Sequence, residues 1–185
     1  DELLAALLAD IGHDPVPIGE IATDCGDWQT YAQRVQSHVG LSGFMLFALL
    51  DHGGWITKAG IDRKVMRVVL GNPLIAVTML RHDVTAGLFA PVEVLLGDEG
   101  ERSSLTYVRP SSLMVIEPNP ELHSAATELD AKLAALATKV TGAVAGCLII
   151  GYALVVRRAA LLDICLAAVV VIAVLGLIEA LTGMI

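Results

Sequence analysis

Asp51 and His52 stand side by side where an apolar run, Phe44 to Leu50, stops, and Gly53-Gly54 follows. A carboxylate can orient an imidazole, and the ring can hold or move a proton near neutral pH, so an acid beside a histidine at a strand end is where general-base chemistry can begin. A second apolar run ends in Gly71-Asn72-Pro73. There glycine lets a backbone approach a ligand closely, asparagine offers both a donor and an acceptor, and proline fixes the turn. If the stretch from Trp55 to Lys64 crosses the sheet, both loops lie at one end. Asp51, His52, Gly71, Asn72 and Pro73 would then line one ligand pocket.

Catalysis is nevertheless not expected. Neighbouring residues of a strand point to opposite faces, so Asp51 and His52 do not form a pair by adjacency. Catalytic triads are assembled in space, and no GxSxG, HExxH or phosphate-loop motif is present. The histidines, His13, His38, His52, His82 and His123, have no ligand partner at helical spacing, and Cys25, Cys147 and Cys165 form no CxxC. His82-Asp83 reads as a solvated pair at a helix end. The expectation is therefore no catalytic residue, no metal and no cofactor. The alternative is a small-ligand, metal or haem site on the two loops, which for a metal or haem needs a second ligand brought to His52 from afar.

Elements must position these residues. Apolar residues at 3, 4, 7, 8 and 11 predict a helix that stops at Gly12. Ile18 to Thr23 reads as a first strand. Asp27 is a natural N-cap for a helix ending by Gly40, with Trp28, Tyr31, Val35 and Val39 on one core stripe. The runs before Asp51 and Gly71 read as strands, and Pro73 opens a short helix. Val92–Leu96 and Ser104–Val108 flank the turn GDEGER as a hairpin. From Pro120 a long amphipathic helix carries Leu122, Leu129, Leu133 and Leu136 on its apolar side.

The 185-residue chain is 55% hydrophobic, with the excess in its last quarter. Beyond Lys139 the only charges are Arg157, Arg158, Asp163 and Glu179, so the net charge of -8 belongs to residues 1–139. That acidic balance disfavours contact with phosphate backbones, and no nucleic-acid partner is expected. Two apolar segments, 139–157 and 161–184, approach the length that crosses a bilayer. They predict a transmembrane hairpin over 139–185, with Arg157 and Arg158 in its loop. Positive loops favour the cytoplasmic side, which places the acidic domain on the periplasmic side of an inner membrane.

The stretch GFMLFALLDHGGWITKAGIDRKVMRVVLGNPLIAVTMLRHDVTAGLFAPVEVLL resembles the bacterial domain-of-unknown-function family 302. A strand ending in DH, a polar connection, a strand ending in GNP, a short helix and a Pro-led strand (Pro91-Val92-Glu93-Val94) carry the resemblance, which covers about residues 18–138. The chain departs from the family in Gly53, Gly54 and Trp55 after DH, and in a loose Tyr107-Val108-Arg109-Pro110 element. The resemblance implies an α+β domain with a single antiparallel sheet and helices on one face, in the order β-α-β-β-β-β-α. It also implies a tendency to dimerise and no established activity.

Together these features predict three parts: an N-terminal helix and linker (1–17), an α+β domain (18–138) and two transmembrane α-helices (139–185). The function expected of such a chain is that of a non-catalytic accessory subunit. Its helices would dock on larger integral membrane subunits in the lipid bilayer, and its domain would cap a neighbouring surface. An energy-converting complex, respiratory or photosynthetic, would suit it. A homodimer through the α+β domain is the remaining partner expected.

Overall fold

A computed structural model describes residues 2–98, 102–144 and 148–152. The chain opens with three helices, α1 (Glu2–Ile11), α2 (Ile18–Asp24) and α3 (Trp28–Gln36). Strand β1 (Met45–Asp51), the short helix α4 (Gly53–Ile56) and strand β2 (Val65–Gly71) follow. Then come α5 (Pro73–Leu80), the hairpin β3 (Val92–Asp98) and β4 (Ser103–Val108), α6 (Pro110–Met114), α7 (Pro120–Gly142) and β5 (Leu148–Tyr152). The sheet runs in chain order, β1-β2-β3-β4-β5. Its first three pairings are antiparallel, and β5 joins β4 in parallel.

Period-two burial in the strands divides the sheet into two sides. In β3, Val92, Val94 and Leu96 are buried while Glu93 and Leu95 are exposed. The buried side, with Leu46, Val68, Leu70 and Leu105, packs on α7 through Leu122, Leu129, Leu133 and Leu136. Helix α1 adds Leu3, Leu7 and Ile11 to the same core. Met45 and Leu46 are neighbours in β1 and so face opposite sides. Met45 belongs to a second cluster with Ile21 of α2 and Val35 of α3. Helices therefore lie on both sides of the sheet, not one.

Three further expectations need correction. Ile18–Asp24 is a helix, not a first strand. Ile18 and Ile21 sit one turn apart and both join the second cluster, a spacing of three that a strand would split between faces. On the expected stripe of α3, Val35 is buried and Trp28 stands 55% exposed, its ring against Tyr31 at 5.6 Å between centroids.

The third correction is the membrane hairpin. The first expected span, 139–157, divides between the end of α7 and strand β5, which pairs backbone to backbone with β4 from Ser104↔Leu148 to Val108↔Tyr152. An apolar run is as compatible with a sheet strand as with a helix, and here sheet pairing satisfies the backbone. No helix among the described residues is long and apolar enough to cross a membrane. The second expected span, 161–184, and the loop arginines Arg157 and Arg158 lie outside the described residues. The inner-membrane, periplasmic placement depended on the hairpin and is withdrawn with it.

Candidate functional site

Strands β1 and β2 form an antiparallel pair, so the connection after Asp51 returns at the same end of the sheet. Asp51 pairs with Met66, whereas Gly71 pairs with Met45. Five residues of strand separate the two levels, roughly 17 Å. The Asp51-His52 and Gly71-Asn72-Pro73 loops thus sit at opposite ends. The crossing needed to unite them is absent, because residues 53–59 coil into α4 and a 3-10 turn beside β1.

Asp51 and His52 each turn inward on their own loop. The Asp51 carboxylate accepts the Gly54 amide (3.0 Å) and so caps α4. A Cβ at Gly53 would approach the Arg63 carbonyl and Val65 amide at 3.1 Å, and one at Gly54 would meet the Asp51 carboxylate at 3.0 Å. His52 Nδ1 accepts the Trp55 indole N–H at 3.3 Å, with the rings edge to face. The pair is a local capping arrangement. Asp51→Ala is expected to cost about 1 kcal/mol of stability in urea unfolding, the typical value of a lost cap; a loss of several kcal/mol would show that the carboxylate does more than cap.

The other end is different. Asn72 caps α5, its Oδ1 accepting the Leu74 amide (2.8 Å), while its Nδ2 donates to the Gly43 carbonyl (2.9 Å). It is only 8% exposed. These two bonds clamp the start of α5 to the loop that leads into β1. Asn72→Ala removes a cap and takes its donor from the half-buried Gly43 carbonyl, for an expected loss of about 2 kcal/mol in the same assay.

Beside Asn72 lies a cavity of about 220 Å3. It forms where the two hydrophobic clusters meet: Phe44, Met79 and Leu129 line it from the main core, and Ile18, Tyr31 and Phe47 from the second. The β1 register shifts between Leu46 and Ala48, at Phe47. Gly71 keeps the wall thin, since a Cβ there would come 2.7 Å from the Phe47 ring and 3.1 Å from Pro91. Among the described residues that line it none carries a charge, and Tyr31 and Asn72 are the polar ones. Burial, and then the nearby Cys25, push the Tyr31 hydroxyl above its ordinary range.

Sequence inspection missed a polar cluster that ties α1 to α7. Asp10 of α1 is 5% exposed and contacts Lys139 of α7 at 2.6 Å. It also accepts hydrogen bonds from the amide (3.1 Å) and hydroxyl of Ser42. Burial alone would raise its pKa. The hydrogen bonds from Lys139 and Ser42, with the ammonium charge, outweigh that and hold the carboxyl below its usual range. The signal was available: Asp10 follows Leu7 by three and Leu3 by seven, on the buried stripe of α1. Two other carboxylates cap, Asp27 as its sequence context suggests and Asp83 in place of the solvated pair expected of His82-Asp83. Asp27 takes the Thr30 amide and then its hydroxyl, Asp83 takes the Thr85 hydroxyl and then its amide, and both titrate below the ordinary range for that reason.

No group of three or more His, Cys, Asp or Glu residues comes together among the described residues in a way that could hold a metal ion. Every buried side-chain polar atom described has a hydrogen-bond partner.

An α+β sheet domain with an uncharged cavity behind a GNP turn is the class these features define. Residues 21–140 match the model of the family described as "Domain of unknown function DUF302". The chain belongs to that family. It is similar to the crystal structure of an uncharacterized conserved DUF302 protein from Bacillus stearothermophilus, at 15% identity and a TM-score of 0.48, covering 71% of this chain and 94% of that one. No curated protein matches the chain.

Proposed function

We propose that this DUF302 domain is a non-catalytic binding module that takes a small molecule in the cavity beside Gly71, Asn72 and Pro73. The cavity itself carries the reading. It is a half-open recess of about 220 Å3 walled by apolar side chains from both clusters, and a concave, mostly apolar site with a few polar groups is the usual form of a small-molecule site. About 150 Å3 between aliphatic side chains suffices for benzene. The absence of charge on the lining favours binding over proton transfer, and the Asp51-His52 turn, at the far end, plays no part in it.

The test is a melting-midpoint screen of the full chain against neutral, anionic and cationic fragments. Binding to the folded state raises the midpoint, by the equivalent of about 2.7 kcal/mol at a hundred times Kd. At least one fragment is expected to do so in the native chain and to lose the effect in Ala76→Leu, which puts three carbons into the cavity from α5. A screen silent throughout would overturn the reading.

A second reading, that of a protein-interaction subunit, draws on the side of the sheet away from α7. Leu50, Arg67, Leu95 and Thr106 align across it by register, and Leu50 (42%) and Leu95 (38%) are exposed. Arg67 and Glu93 form a bidentate ion pair on the same side. One face that offers apolar area and both signs of charge suits a second copy of itself. Light scattering over a concentration series is expected to give a dimer that Leu95→Lys dissociates; a monomer throughout counts against it.

A further inference from the structure

Resting on the cavity reading, we infer that the ligand is an uncharged molecule with a ring-sized apolar body and one hydrogen-bonding group, which is met by the Asn72 side-chain amide.

The size follows from the cavity volume, which exceeds what one benzene ring needs and falls short of the several hundred Å3 of a drug-sized site. The apolar body follows from walls of Phe47, Ile75, Met79 and Pro91. Neutrality follows from the absence of a countercharge. A carboxylate or ammonium seated against these walls would give up part of its hydration with no charged partner among the described lining residues, and unpaired burial of charge is costly.

Of the two polar residues on the described lining, Tyr31 and Asn72, the second is assigned the polar contact, by counting its free hydrogen-bonding capacity. Asn72 lines the cavity and uses one amide hydrogen for Gly43 and one carbonyl lone pair for Leu74. A primary amide has two hydrogens and two lone pairs, so one of each remains. Both structural bonds hold the amide in one orientation, and it therefore meets a ligand already ordered. Asn72 is then a specificity-determining residue as well as a cap. Gly71 is a second: any side chain there would be driven into Phe47 and Pro91 and would close the space from below.

The experiment compares four probes of one shape on the full chain: phenol, toluene, benzoate and benzylamine, read by ligand-detected NMR and by the melting midpoint. Phenol is expected to bind, toluene to bind more weakly, and the two ions to be disfavoured by a factor on the order of a hundred. Ala76→Leu abolishes phenol binding. Asn72→Ser keeps a capping oxygen but drops the amide, and is expected to bring phenol down to the level of toluene. If either ion binds as well as phenol, the neutral-ligand inference fails while the cavity stands as a binding site. If toluene equals phenol in the native chain, Asn72 has no role in recognition. If no probe binds and Ala76→Leu changes nothing, the cavity is not a binding site, and the proposed function falls with the inference.

Discussion

Replacing Gly40 by alanine is expected to lower the melting midpoint by roughly 6–12 °C, the largest effect of any single methyl group in the domain. Gly40 sits between α3 and β1, and its amide donates to the Phe44 carbonyl at 2.8 Å. Its φ is not positive, so the constraint is space. A Cβ there would lie 1.8 Å from the Asp10 carbonyl oxygen, 2.9 Å from its carbon and 3.1 Å from the Phe44 carbonyl oxygen. All three are backbone atoms, which cannot rotate away. The end of α1 must move, and overpacking of this kind costs about 3 kcal/mol. Gly19→Ala is the control: a Cβ there meets nothing within 4 Å, and alanine favours the α2 helix. A midpoint for Gly40→Ala within 2 °C of the native chain would mean that α1 is not held against this turn.

Asp10→Ala is expected to destabilise the domain by about 3 kcal/mol, because the half-buried Ser42 amide and hydroxyl lose their charged acceptor and Lys139 loses its anchor. The cost is also pH-dependent. The folded Asp10 carboxyl titrates below its ordinary range, so on acidification the unfolded chain takes up that proton first, near pH 3.9. The contribution of the ionised carboxylate is present in full above about pH 5 and fades as the pH falls through 3.9 and then past the folded pKa. Urea midpoints of the native chain and Asp10→Asn should therefore differ most near neutral pH and converge below about pH 4. A gap that widens on acidification would reverse the sign of the coupling and show that the buried carboxyl prefers to be protonated.

The parts of the fold legible in the sequence are those with a local cause. Asp27, Pro73 and Gly12 bound their helices where capping chemistry puts them, and Val92 to Leu96 alternates as a one-sided strand should. The GNP turn was found because each of its residues has a distinct local role. What escaped were outcomes decided by partners far along the chain. Whether 148–152 becomes helix or strand depends on an unpaired edge at β4, which apolarity does not encode. Whether Asp51 and Asn72 meet depends on the direction of one connection. Ile18–Asp24 is too short for period alone to separate helix from strand. The cavity was half legible: Asn72 and Pro73 pointed to that end of the sheet, but the walls from α2, α3 and α7 follow from packing alone.

The parallel seam between β4 and β5 has a consequence for synthesis. The four antiparallel strands can zip as they emerge, since each partner is the next strand along. The fifth cannot, because the whole of α6 and α7 lies between it and its partner. At elongation rates of about 5–20 residues per second the 23 residues of α7 alone take roughly 1–5 s to appear. Throughout that interval β4 presents a bare hydrogen-bonding edge on a nascent sheet, the feature most prone to pair with a neighbouring chain. The ribosome's output should therefore aggregate from a stage that stops short of residue 148, and chains truncated there should be less soluble than the full sheet despite being less apolar.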